Sequence, residues 1–170
     1  MLKKIRALFS SSETQPNLHA PIQAPVDLNK PVENPALLSA IDAMADEPTD
    51  SNRSKLLLAL NGANLLAAIL TDEMITAETA PGQTIIKAGS LIKFLTAGKD
   101  GQSYLSLFTD WNALRTYTNF NVSAMIFPSL DAWQFALQGN TYDGVVVNPA
   151  HNAVSLNRQL LQYLARGSDT

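Results

Sequence analysis

His151 stands in the run Asn148-Pro149-Ala150-His151-Asn152, directly after Gly144-Val145-Val146-Val147, and Asp143 precedes that run. An imidazole, a carboxylate and two carboxamides near one another could serve as an acid or base beside groups that orient a ligand. In open α/β sheets, ligands bind outside the carboxyl ends of strands. The Val run predicts such a strand, ended by Pro149. A plainer use competes: Pro149 stops the strand, and Asn148 and Asn152 bond backbone groups in the turn. Thr109-Asp110 invites the same pair of readings, a base or an anion-repelling site after a strand, or the N-cap of the next helix.

Other chemistry finds little support. The chain has no Cys, which excludes disulfides, thiolate zinc sites, iron–sulfur clusters and cysteine nucleophiles. His19 and His151 are the two His, so a multi-histidine metal site is not expected. No Gly-x-Ser-x-Gly elbow, phosphate-binding Gly-x-x-x-x-Gly-Lys-[Ser/Thr] or Gly-x-Gly-x-x-Gly occurs. The acidic pairs Asp46-Glu47 and Asp72-Glu73 are adjacent in sequence, so their side chains do not face each other on a helix. No cofactor is expected. Four aromatics, Trp111, Tyr117, Trp133 and Tyr142, offer anchors of the kind that carry protein interfaces. The competing reading puts all four in the core. Basic residues do not interleave with these rings and pI is near 5.2, so nucleic acid is not an expected partner.

These residues need elements to hold them. Asn34 is a candidate N-cap with Pro35 at the first helical position. Leu37, Leu38, Ile41 and Met44 follow at helical spacing, with an end near 46–48. Asp50 or Ser51 would start a second helix bearing Leu56, Leu57, Leu58 and Leu60, stopped by Asn61-Gly62. Residues 64–70 are a short apolar run for which periodicity cannot choose between helix and strand. Residues 91–96 and 104–109 predict a β-hairpin across a turn-rich 97–103. Residues 71–89, with Pro81-Gly82 and Ala88-Gly89, predict a surface loop. A helix capped by Asp110, a strand at 122–127, a helix capped by Ser129 and a buried strand at 144–148 come next. Val154 and Leu156 precede a last helix with Leu160, Leu161 and Leu164. The order predicts an α/β (α+β) fold, a mixed central sheet with a β-hairpin, covered by helices.

The 170 residues carry a net charge of −3 and are 46% apolar, so wholesale disorder is excluded. Charged residues are only 16%, against about 25% in typical domains, which predicts a sticky surface. Pro16, Pro21, Pro25, Pro31 and Pro35 are five of the nine prolines. Each fixes φ and removes a donor. Residues 1–33 are therefore predicted to be a disordered Pro-rich arm that does not pack on the body, and residues 34–170 to be the domain. At the start, Leu2, Ile5, Leu8 and Phe9 make a short apolar stripe beside Lys3, Lys4 and Arg6. That stripe offers a peripheral membrane contact. No apolar h-region follows it and no run is long enough to span a bilayer, so a cytoplasmic location is expected.

Leu107-Phe108-Thr109-Asp110, the helix after it, and Gly144-Val145-Val146-Val147-Asn148-Pro149 form an ordered series. With the opening Asn34-Pro35-Ala36-Leu37-Leu38, this series resembles the SseB N-terminal domain family over about residues 34–165. The resemblance implies a bacterial, cytosolic domain, and it brings no catalytic residues to carry over. Some members have a second C-terminal domain; with Thr170 just after the last helix, none is expected here. The leading expectation is a non-enzymatic interaction module with an unidentified protein partner. The alternatives are a small-ligand or enzymatic role in the loop 143–152, and membrane attachment through residues 1–9.

Overall fold

The computed structural model describes residues 31–70, 76–80, 83–86, 93–120 and 122–166, all within a unit that begins at Pro31. Its elements run α1 (Pro35–Asp46), α2 (Asp50–Asn61), β1 (Asn64–Leu70), β2 (Thr76–Ala80), β3 (Gln83–Ile86), β4 (Lys93–Phe94), β5 (Thr96–Lys99), β6 (Gln102–Phe108), α3 (Trp111–Tyr117), β7 (Val122–Pro128), α4 (Ser129–Leu137), β8 (Gly144–Val147), β9 (Val154–Asn157) and α5 (Arg158–Ala165). The fold is α+β, with helices against a mixed seven-stranded sheet.

The ambiguous run 64–70 is strand β1, whose inner residues are all buried. Burial on both faces removes the alternation that would have identified it. Along one edge β1 pairs antiparallel with the whole of β7. On the other edge it meets the end of β6 at Leu66↔Phe108 and Ala67↔Leu107. There β1 and β6 part, and 93–99 fills the fork: β4 pairs β1, while β5 pairs β6. Leu95 ties both sides, donating from N to Ala68 O at 2.9 Å and accepting from Ser106 N at 3.1 Å. The expected hairpin is corrected in register: it forms between β5 and β6, the turn-rich 97–103 is strand except for Asp100 and Gly101, with φ of 53° and 77°, and 93–94 pair β1 instead. Positive φ at both positions suits a tight two-residue hairpin turn. Its first strand is kinked, because its two halves serve different partners. The surface loop expected at 71–89 is corrected where it is described: β2 and β3 pair as an antiparallel hairpin.

On the far side of β6 lies β8, parallel to it, and then β9, antiparallel. All of β8 is buried, as its Val run predicts. Gly144 starts it because a Cβ there would fall onto the Leu156 carbonyl oxygen of β9.

Alternate residues of β1 feed two cores. Leu65 and Ala67 join Leu37 and Ile41 of α1, Leu56 and Leu60 of α2, Trp133 of α4 and Leu161 of α5. Leu66 and Ala68 join Phe108, Leu114 of α3 and Val32. Val32 corrects the expected boundary. It is buried in that second cluster, so the packed body includes residues 31–33. A single Val between Pro31 and Glu33 makes no periodic pattern, and the prolines masked it. The apolar stripe Leu2–Phe9 and His19 lie outside the described residues. No helix among the described residues is long and apolar enough to cross a membrane.

Two expected caps differ. Thr49, not Asp50 or Ser51, caps α2 by accepting from Asn52 N. Ser129 is the first residue of α4, and its hydroxyl donates to Asn61 O at 2.8 Å.

Candidate functional site

β6 and β8 are parallel neighbours whose chain leaves them in opposite directions, through α3 to β7 and directly to β9. Such a divergence opens a crevice outside the carboxyl ends of the strands. A cavity of about 660 Å³ lies there. Its walls are residues 31–33, the start of α1 with Leu38, the exposed side of α3 from Trp111 to Thr116, and Asn148, Ala150 and His151 beyond β8.

A polar network fixes this rim. Asn34 stands at the N-cap position of α1 but makes no cap bond. Its amide instead donates to Asn64 O at 2.8 Å and Thr109 O at 2.6 Å, and its carbonyl accepts from Asn64 N at 3.2 Å. One side chain thus joins the entry of α1, the start of β1 and the end of β6. Asn148 accepts from Thr109 N at 3.0 Å and donates to Thr109 Oγ1 at 2.9 Å. Thr109 Oγ1 donates in turn to Asp110 Oδ2 at 2.8 Å. Asp110 Oδ1 accepts from Ala113 N at 2.9 Å, so Asp110 is the N-cap of α3 that the sequence predicts.

The expected convergence of Asp143, Asn148, His151 and Asn152 is corrected. Asp143 sits before β8, where its carboxylate accepts from Ser103 N and its own N donates to Ser103 O, both at 2.8 Å. The length of β8 separates it from Asn148, about 16 Å at the usual rise of a strand. Asn152 is exposed and donates to Asp42 Oδ1 at 2.8 Å. His151 is exposed on the cavity wall, with its N donating to Asn148 O in the turn. Of the loop, Asn148, Ala150 and His151 reach the cavity.

The aromatics divide. Trp133 is 0% exposed, which removes it as a surface anchor. It belongs to the stripe Ser129, Ala132, Trp133 and Ala136 that α4 turns to the sheet. Its Nε1 has no hydrogen-bond partner among the described residues. Tyr117 is half-buried with its ring 5.7 Å from that of Phe108. Tyr142 is half-buried, 6.1 Å from the ring of Phe135, and burial pushes its phenol above the ordinary value. Trp111 alone stands out, 40% exposed on the cavity rim, with the Arg115 guanidinium 6.0 Å from its ring centre.

Sequence reasoning missed Asn34, Leu38, Ala150 and residues 31–33 as parts of this rim. Leu38 carries a signal, since helical spacing places it one position off the stripe of Leu37 and Ile41. Among the described residues, no group of three or more His, Asp or Glu is placed to hold a metal ion.

No curated protein and no solved structure matches this chain. The family described as SseB protein N-terminal domain does match, over residues 37–162. That span runs from the first buried Leu of α1 into α5, taking in the sheet, Thr109-Asp110 and the turn after β8. The chain belongs to the SseB protein N-terminal domain family.

Proposed function

We propose that this domain is a non-enzymatic interaction module that receives part of a partner protein in the groove beside Trp111. The observation that carries this reading is the contrast between the two tryptophans. Trp133 is spent in the core, whereas Trp111 is 40% exposed at the edge of a cavity that exposed Leu38 also lines. A large apolar side chain left half in water at the rim of a groove is the usual form of an interface anchor. The groove is also pre-formed, because the Asn34 and Asn148 bonds fix the ends of β1, β6 and β8 around it. Pre-organisation lowers the ordering cost of binding.

The test is site-specific photo-cross-linking in the host cell from position 111, with position 163 as control. Tyr163 is an exposed aromatic on α5. One partner cross-linked from 111, absent from 163 and lost in Leu38→Glu, is the expected result. Cross-links that are equal at both positions, or indifferent to Leu38→Glu, would sink the reading.

The cavity volume also favours a second reading, a small-ligand site with His151 on its wall. About 660 Å³ falls inside the range of roughly 300–1,000 Å³ usual for such sites. A fragment screen by NMR separates the two: hits confined to the residues around His151, with no cross-link from 111, would favour the ligand.

A further inference from the structure

The charges around the groove have one dominant sign. Among the described residues, Glu33 and Asp110 line it, and no Lys or Arg does. Asp42, exposed and outside the lining, has its carboxylate held by the amide of Asn152, the residue after His151. The cation nearby is Arg115, outside the lining and over the Trp111 ring. Val32, Pro35, Leu38 and Trp111 supply apolar wall to the same groove. We propose that the groove takes a protein segment that is apolar with Lys or Arg side chains beside its apolar anchors. This rests on the reading above that the groove docks a protein, and adds the chemistry of the partner.

Asp110 adds a fixed geometry to the charge. Both of its oxygens are tethered, to Ala113 N and to Thr109 Oγ1, so the carboxylate is held in one place at the mouth. Two hydrogen bonds leave an ionised carboxylate with further acceptor capacity. A cation arriving there finds a fixed partner and spends no entropy on ordering it. An acidic segment meets like charge, and like-charge contacts are what reject wrong partners.

The experiment uses the full chain and labelled synthetic peptides, read by fluorescence anisotropy. One peptide is built of Leu, Phe and Lys; a second has Gln for each Lys; a third has Glu. The Lys peptide should bind tightest and the Glu peptide weakest. Salt should weaken the Lys peptide selectively, since exposed pairs are screened. Glu33→Gln combined with Asp110→Asn should weaken the Lys peptide by roughly threefold to tenfold, the span of two exposed ion pairs. The Gln peptide should not change. Asn caps a helix as well as Asp does, so Asp110→Asn removes charge and keeps α3. Equal binding of Lys and Gln peptides, or a double variant without effect, overturns this inference and leaves the interaction reading standing. Absence of binding by every peptide also overturns it. Only loss of the cross-links from position 111 as well takes down the interaction reading.

Discussion

The Asn148 carboxamide spans the Thr109 amide and hydroxyl while its own backbone holds φ at 51°. Asn tolerates that left-handed conformation better than other non-glycine residues, and the side chain is 39 positions away from its partners in sequence. Two substitutions separate the two roles. Asn148→Gly keeps the backbone relaxed and strips the bonds, leaving the buried Thr109 amide unpaired, at a cost of about 1–3 kcal/mol. Asn148→Ala loses the same bonds and adds the left-handed penalty of about 1 kcal/mol. Urea unfolding should therefore rank Ala below Gly; the reverse order would mean that the backbone is not strained there. Tyr142 gives a pH-dependent counterpart. Burial raises its phenol pKa in the folded state, so the fold favours the protonated form. Its contribution is fully present below the unfolded value near 10 and is lost as pH rises past that value. Tyr142→Phe should flatten the loss of stability above about pH 10, measured by melting at stepped pH. A parallel loss in both proteins would assign it to other groups.

Beyond the core that α4 and α5 share, one side chain of α5 closes the end of α4. Arg158, first residue of α5, donates to Tyr142 O at 2.8 Å, Leu137 O at 2.9 Å and Gly139 O at 3.0 Å, with Ala136 O at 3.4 Å. These carbonyls are the end of α4 and the loop to β8, where a helix leaves acceptors unpaired and its dipole favours a cation. Arg158→Lys keeps the charge but cannot fork to several carbonyls, so it should cost about 1–2 kcal/mol, and Arg158→Ala about 2–3 kcal/mol. A solvated surface Arg would shift a urea midpoint hardly at all, and that outcome would refute the clamp. Nothing in the sequence announces this contact, since its partners are backbone atoms 16 to 22 positions upstream. The helices were legible because their buried positions recur locally, and β8 because three Val in a row admit few uses. The fork at 93–99 was not, since which strand each half joins depends on where β1 and β6 diverge. For the site, Asp110 as cap and Asn148 at a strand end could be read. Asn34 could not be read beyond a cap, because its bonds reach 30 and 75 positions ahead.

At the scale of the whole molecule, the described residues cover the sheet unequally. Four helices, α1, α2, α4 and α5, contribute to the cluster on one face. On the other, the described helix is the short α3, and Val32 packs beside its Leu114 against Leu66 and Phe108. Val32 thus works as an added piece of core supplied from before α1, and it also lines the groove. This joins stability to site: the segment that completes the thinner core forms one wall of the cavity. The test is Val32→Ala in the full chain, with exposed Glu33→Ala beside it. Removing two buried methyl-sized groups should cost about 1.5 kcal/mol. For a domain of this size, that lowers Tm by roughly 3–6 °C. Glu33→Ala should stay within about 0.5 kcal/mol of the parent, as exposed sites do. Trp111 lines the same groove, so Val32→Ala should also change its fluorescence while Glu33→Ala changes it less. If Val32→Ala melts with the parent, the body starts at Asn34, and residues 31–33 neither complete the second core nor shape the groove.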